Sequence, residues 1–374
     1  MVWKFFRSDA VEYWESGKVQ NALPHYSEIL NRKRLAKYLI AKKIETNIEN
    51  PSVVSTEELI RIHESMKQAF SEKIKQDPSS LNKETPTFSF LDLKIEIAKR
   101  ILSSCEFCER KCQIDRTKSK GHCRIDAKAK VSSSFAHTGE ETPLVPSGTI
   151  FFTGCTFDCV FCQNYDISSL WKEGSSLYID NVDGKRLFEI TNDLILENKR
   201  YPIKNINYVG GDPTPNINII LESLKYLEEN IPLIWNSNFY NSEIAISLLK
   251  EIIDVWLLDF KFGNNQCAFT YCGVRNYFDL INRNFRLIYN GGSEEIIIRH
   301  LLMPGHIECC TEPILRFIKN NIPRVQVNIM EQYRPHFKVN EFRYPELNRR
   351  CSKEEIERAF DLAKQYHINI ELCS

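Results

Sequence analysis

The sequence predicts an α/β protein: a partial (βα)6 TIM-like barrel with an N-terminal helical region and a cysteine-rich knuckle. Three observations carry this. From Gly148 onward short apolar strands alternate with amphipathic helices, whereas residues before about 104 show helical periodicity only. Where these stretches meet, cysteines crowd together, seven of the 13 falling between 105 and 162. The boundaries read as 1–104, 105–147 and 148–374.

In the first segment Ser55-Thr56-Glu57-Glu58 fits a capping box, in which Ser caps a backbone N–H and the Glu three residues on reaches back. A helix from Thr56 to about Gln76 should follow. Leu91, Ile95, Ala98 and Leu102 form a second helical stripe, widened by Leu93, Ile97 and Ile101. Asp77-Pro78-Ser79-Ser80 marks the break between the two. The segment reads as a helical cap or partner-facing module without chemistry of its own.

In the third segment the expected strands are Thr149–Phe152, Ile206–Val209, Pro232–Trp235, Val255–Phe260, Glu295–Leu302 and Val325–Ile329. Helices are expected near Lys185–Lys199, Asn216–Glu229, Ser242–Ile252, Tyr277–Leu287, Glu312–Asn320 and Lys353–Gln365. Repeated βα units imply a parallel sheet whose functional loops follow the strand C-termini. Six units suit a partial barrel; a doubly wound open sheet is the alternative.

With 43% hydrophobic and 26% charged residues, disorder, collagen and coiled coil are excluded. Lys+Arg 49 balances Asp+Glu 49, so no global field points to a nucleic-acid or membrane partner. Residues 1–10 lack the apolar core of a signal peptide, and runs such as Val255-Trp256-Leu257-Leu258 fall far short of the roughly 20 residues that span a bilayer. The expected location is the cytoplasm. Thiols there stay reduced, so metal or cluster ligation is favoured over disulfides. Cys267, Cys272, Cys309, Cys310, Cys351 and Cys373 are scattered and read as packing or incidental thiols.

The loop Gly154–Cys162 follows the strand Thr149–Phe152 directly and carries Cys155, Cys159 and Cys162 with no fourth cysteine near in sequence. Four thiolates would close a site, whereas three hold a cubane cluster and leave one iron open to a small ligand. The alternatives are a zinc loop completed by a distant residue, or three core cysteines. Upstream, Cys105, Cys108, Cys112 and Cys123 lie within 19 residues, too short a segment to build a core, so a metal should supply its folding energy. Zinc and a second cubane both fit that set. Residues 105–130 hold eight Lys/Arg against four Asp/Glu, which suits either an anionic cluster or RNA.

Cys155, Cys159 and Cys162, with Phe161 before the last, resemble the signature of the radical S-adenosylmethionine (SAM) superfamily. Gly154–Asn164 is similar to the pyruvate formate-lyase activating enzymes and their relatives, as are His137-Thr138-Gly139-Glu140-Glu141, Arg299–Gly305 and Met330-Glu331-Gln332-Tyr333. The resemblance covers about 105–345. It implies a [4Fe-4S] cluster on the three cysteines, with SAM chelating the open iron and cleaved to a 5′-deoxyadenosyl radical that abstracts hydrogen. By the same resemblance Phe161 would lie against the adenine, and Gly210, Gly211 and Asp212 would hold the SAM amino group, Asp212 standing where the family has Glu. Asn236 and Asn238 offer groups for ribose or a substrate amide, and Arg299 and His300 would reach the SAM carboxylate and ribose. Asp259 and Lys261 resemble a family pair, and with Asn238 are the expected substrate holders. Relatives carry extra clusters in inserted cysteine domains, which keeps zinc and a second iron–sulfur cluster both open at Cys105–Cys123. The expected partners are a protein substrate and a low-potential electron donor such as flavodoxin or ferredoxin. The resulting expectation is a hydrogen-abstracting, glycyl-radical-type protein activase; the alternatives are action on RNA or a small metabolite, or a non-enzymatic metal-binding adaptor.

Overall fold

The computed structural model describes Lys4 and residues 6–76, 85–169, 179–198, 202–289 and 294–370. The expected break at Asp77–Ser80, Lys199 and Cys373 lie outside these residues. Eight strands form one sheet: β1 (Ala129–His137), β2 (Ser147–Phe152), β3 (Ile179–Val182), β4 (Ile206–Gly210), β5 (Leu233–Ser237), β6 (Val255–Asp259), β7 (Glu295–Leu301) and β8 (Gln326–Met330). Their order is β3-β1-β2-β4-β5-β6-β7-β8, and every neighbouring pair from β2 to β8 is parallel. The parallel strands follow the chain without reversal, so the doubly wound alternative, which needs a switch point, does not hold. These six are the predicted strands, shifted by a residue or two.

The sequence reading missed β1 and β3. Strand β1 pairs antiparallel with both β2 and β3, and its centre, Ser132–Ser134, offers polar residues where an apolar alternation would have announced a strand. Among the helices, Lys353–Gln365 forms as expected on a Ser352/Glu355 capping box. The expected Asn216–Glu229 helix shortens to Ile217–Ser223 behind a Thr214–Asn216 turn. The helix Thr56–Lys73 starts on Ser55, which accepts the Glu58 N–H at 3.2 Å, but the Glu58 carboxylate pairs with Arg61 rather than returning to Ser55.

Register sorts the strand side chains into two faces. Ile234 lies opposite Val255 and Leu257 opposite Ile297, and these four form one small core inside the barrel. Their neighbours Trp235, Trp256, Leu258 and Ile298 point the other way, into the large core beneath the helices. The lower lumen is stoppered by Val19, Leu23 and Tyr26, from the segment spanning helices Lys18–Ala22 and Pro24–Leu30. Glu295 fixes that stopper by accepting the backbone N–H groups of His25 and Tyr26 at 2.5 and 3.0 Å. Helix Phe90–Ile101 packs on the barrel exterior, where buried Lys94 donates to Glu251 (2.7 Å) and the Ser247 carbonyl (3.1 Å). Residues before 104 thus share the barrel's cores.

Candidate active site

The loop 153–162 leaves the C-terminal end of β2 and is clasped by the turn after β4. Gly211 N–H donates to the Phe152 carbonyl (2.9 Å) and Asp212 N–H to the Gly154 carbonyl (3.0 Å). That approach requires glycine: a Cβ on Gly210 or Gly211 would stand 2.0 Å from the carbonyl oxygen of Phe152 or Gly154. Each sulphur meets a polar partner. Cys155 Sγ accepts the Phe157 N–H at 3.3 Å and faces Asn238 Nδ2 at 3.8 Å; Cys162 Sγ lies 3.3 Å from Ser168 Oγ. Cys159 Sγ is 3.1 Å from the sulphur of Cys272, a residue the sequence reading left among the incidental thiols. Burial pushes Cys155 up and Cys162 to about 11, and the Cys272 contact with burial does the same for Cys159. Burial thus favours the thiol form at all three positions, and metal ligation here displaces protons.

Above the apolar stopper the lumen becomes polar. A cavity of about 290 Å³ is lined by residues including Glu140, Glu141, Phe151, Asn236, Arg299 and Asn328. Arg299 forks onto Glu141 with two 2.6 Å bonds, also holds Glu140, and donates to Asn236 Oδ1 at 3.3 Å. Asn207 and Asn328 donate to the two carboxylates at 3.1 Å each. The guanidinium expected to meet a SAM carboxylate is thus already taken by protein acids. Glu140 and Glu141, more than a hundred residues away in sequence, carried no local signal of this role. His300 corrects a second expectation. One residue beyond Arg299 on a strand, it faces the opposite side, where its ring nitrogens meet the Phe260 carbonyl and Thr311 Oγ1, both at 2.8 Å. It cannot reach a ribose in the lumen.

Asp212 likewise turns inward. Its carboxylate accepts from Thr214 N–H (2.9 Å), Ser237 Oγ (2.9 Å) and Asn238 N–H (3.0 Å), and burial raises its pKa. The shorter acid braces two turns instead of presenting a free oxygen. Asn238 donates to Thr156 Oγ1 at 2.8 Å and so steadies the cysteine loop. Lys261 pairs with Asp259 at 2.5 Å. Phe161, 6% exposed, packs edge-on against Phe262 and Tyr333, so its expected adenine face is a core contact. Asn236 keeps a buried Nδ2 donor without a hydrogen-bond partner at the cavity wall, available to an acceptor on a ligand.

Residues 149–318 match the Radical SAM superfamily. The chain is also 45% identical over 340 residues to the uncharacterized protein MJ0674 of Methanocaldococcus jannaschii, covering 90% of this chain and 95% of that one. The chain belongs to the radical SAM superfamily. Solved structures resemble it more distantly. Streptococcus suis SuiB bound to S-adenosylmethionine is 17% identical over 58% of this chain, with a TM-score of 0.40, and the match spans about half (47%) of SuiB's length. A domain of pyruvate-formate lyase-activating enzyme from Bacteroides vulgatus is 18% identical, with a TM-score of 0.36, covering 44% of this chain and 96% of that domain. No helix among the described residues is long and apolar enough to cross a membrane.

Radical SAM membership implies a [4Fe-4S] cluster and SAM; the three loop thiols fit the cluster, and Asn236 Nδ2 at the cavity wall is a donor that fits SAM. Among the described residues, the one trio of candidate ligand atoms all within 4.8 Å of one another is Cys267, Cys309 and Cys310. The sulphurs of Cys155, Cys159 and Cys162 are spread more widely, as a cubane with separate irons requires and a single ion does not.

The upstream knuckle sits directly against this loop. Cys105, Cys108, Cys112 and Cys123 line one small cavity together with Thr156. Arg110 donates to the Thr156 carbonyl at 2.7 Å, and His122 meets Asp158 at 2.8 Å. Buried Arg116 ties the segment together through the carbonyls of Ile125 and Asp126, with its guanidinium 3.8 Å from Cys105 Sγ. Contact with the Cys105 thiol, backbone N–H groups and Arg116 pull the Cys112 thiol down, which suits a metal ligand.

Proposed function

We propose that this radical SAM enzyme abstracts hydrogen from a protein substrate, with glycyl-radical activation as the specific reaction. The observation that carries the substrate class is the state of the cations around the site: Arg299, Lys261 and Arg110 each already face a carboxylate, Glu140/Glu141, Asp259 and Asp158 respectively. A phosphate backbone needs uncommitted cations; an extended peptide is held by neutral hydrogen bonds. When bound, the cluster and SAM supply reductive cleavage of the C5′–S bond to methionine and a 5′-deoxyadenosyl radical, the electron coming from a donor such as flavodoxin or ferredoxin. The chain holds the cluster through Cys155, Cys159 and Cys162, offers Asn236 Nδ2 to SAM, and orients the loop through Asn238 and Asp212. The test follows deuterium transfer into 5′-deoxyadenosine with labelled candidate protein partners encoded nearby, with total RNA, and with small metabolites. Deuterium arriving from protein is expected; arrival from RNA or only from a metabolite overturns the substrate class and leaves the superfamily assignment intact.

We further assign the knuckle a second iron–sulfur cluster on the electron path. Its four thiols line one cavity, and that cavity borders the loop at Thr156. Cys108→Ala is expected to lose iron rather than zinc, to keep the SAM-dependent change in the central cluster's EPR signal, and to lose turnover driven by a protein donor. Loss of zinc with iron intact contradicts this reading.

A further inference from the structure

The sequence reading set Cys267, Cys309 and Cys310 aside as incidental, yet β6 and β7 deliver them to one place. We propose that these three thiolates bind a single zinc ion, whose fourth position is open to a water or small ligand entering past exposed Cys309. The three sulphurs lie within 4.8 Å of one another, and those of Cys309 and Cys310 are 3.9 Å apart. A zinc–thiolate tetrahedron with bonds of about 2.3 Å has sulphur–sulphur edges of about 3.8 Å. A disulfide needs about 2.05 Å, and a cubane spreads its ligands over separate irons.

The chain is shaped to hold this spacing. Asn264 caps the helix Asn265–Cys272 by accepting the Cys267 N–H at 2.8 Å. Its amide nitrogen donates to the Cys309 carbonyl at 2.8 Å and lies 3.2 and 3.7 Å from the sulphurs of Cys267 and Cys310. N–H donors aimed at sulphur favour thiolates. Adjacent Cys309 and Cys310 sit in a five-residue π-turn, Ile307–Thr311, whose wider coil brings both sulphurs to one ion. Gly263 lets that turn approach, since a Cβ there would stand 2.4 Å from the Cys310 carbonyl oxygen. Neighbouring His306 is held by protein groups at both ring nitrogens, Nδ1 2.8 Å from the Pro304 carbonyl and Nε2 3.2 Å from Tyr271 Oη, so it walls the site and leaves the ion to the thiolates. Cys309 is exposed, which gives the ion an entry.

The site also has a purpose within the fold. The helix it begins, Asn265–Cys272, ends against the cluster loop: the Tyr271 and Cys272 carbonyls accept the N–H groups of Val160 (2.9 Å) and Asp158 (3.1 Å). Zinc at one end of this helix anchors the loop carried at the other.

The test is zinc and iron content of anaerobically purified full-length protein, with Cys309→Ser as the main variant because its exposed side chain can change without disturbing packing. Cys267→Ser is the second variant and Cys351→Ser the control. Both site variants are expected to lose one zinc per chain with iron unchanged, and their melting temperature should no longer respond to a strong zinc chelator that lowers the wild type's. The control should keep its zinc. Equal zinc in wild type and Cys309→Ser, iron lost in place of zinc, or a Cys267–Cys310 disulfide in the anaerobic protein would each overturn the proposal.

Discussion

Cys159→Ala protein, reconstituted anaerobically with iron and sulfide, is expected to release no 5′-deoxyadenosine from SAM above the background of metal-free protein, whereas Cys272→Ala keeps turnover to within about tenfold. The comparison matters because the two sulphurs lie 3.1 Å apart, and proximity alone does not distinguish ligand from neighbour. Cys272 ends a helix that braces the loop from outside, whereas Cys159 belongs to the loop itself. A cubane held by all four thiolates would leave no iron open to SAM. Removing Cys159 should therefore remove the cluster, and removing Cys272 should leave its reduced EPR signal responsive to SAM. Cys159→Ala that still responds, or Cys272→Ala that loses its iron, contradicts this division.

The second large effect is on stability. Arg299→Met leaves Glu140 and Glu141 buried together without their cation, and is expected to cost about 5 kcal/mol at neutral pH. In the wild type, burial pushes Glu140 up, but Arg299 and His137 outweigh it and hold the carboxyl at about 2. The unfolded chain titrates near the ordinary 4.5, so this contribution is complete above that pH and is lost as pH falls toward 2. In the variant the sign reverses. Burial and mutual repulsion favour the protonated acid in the folded state, so the deficit should shrink as pH is lowered toward about 5. Urea midpoints of the two proteins at about pH 5.5 and about pH 7.5 read this directly. Parallel pH profiles, or a variant as stable as wild type at neutral pH, would contradict the buried pairing.

The six parallel strands and the cysteine loop were legible because each is a local pattern: an apolar run of strand length, or thiols at fixed spacing after a strand. Strand β1 was not, since its polar serines pair through backbone alone. The direction of His300 was legible in the strand itself. Arg299 and His300 are consecutive in a strand, and a period of two permits only one of them to face the lumen. Asp212 shows a subtler limit: its one-methylene departure from Glu was visible, but the Thr214, Ser237 and Asn238 groups that claim its oxygens come from two different strand ends. The partners of Arg299 and the convergence of Cys267 with Cys309 and Cys310 depend on long-range topology, which no window of sequence contains.

The stopper in the barrel floor has a consequence for how the chain is made. Val19, Leu23 and Tyr26 are synthesised long before the Glu295 carboxylate that fixes His25, which lies 270 residues later. At about 5–20 residues per second, that interval lasts roughly ten seconds to a minute. Throughout it these apolar side chains lack Ile297, and the helix Pro24–Leu30 lacks the acid at its start. Contacts of such sequence separation are slow to close even in a finished chain. The floor is thus synthesised well before β7 and seated only after it, and a nascent chain halted before β7 exposes a greasy segment that a chaperone would have to shield.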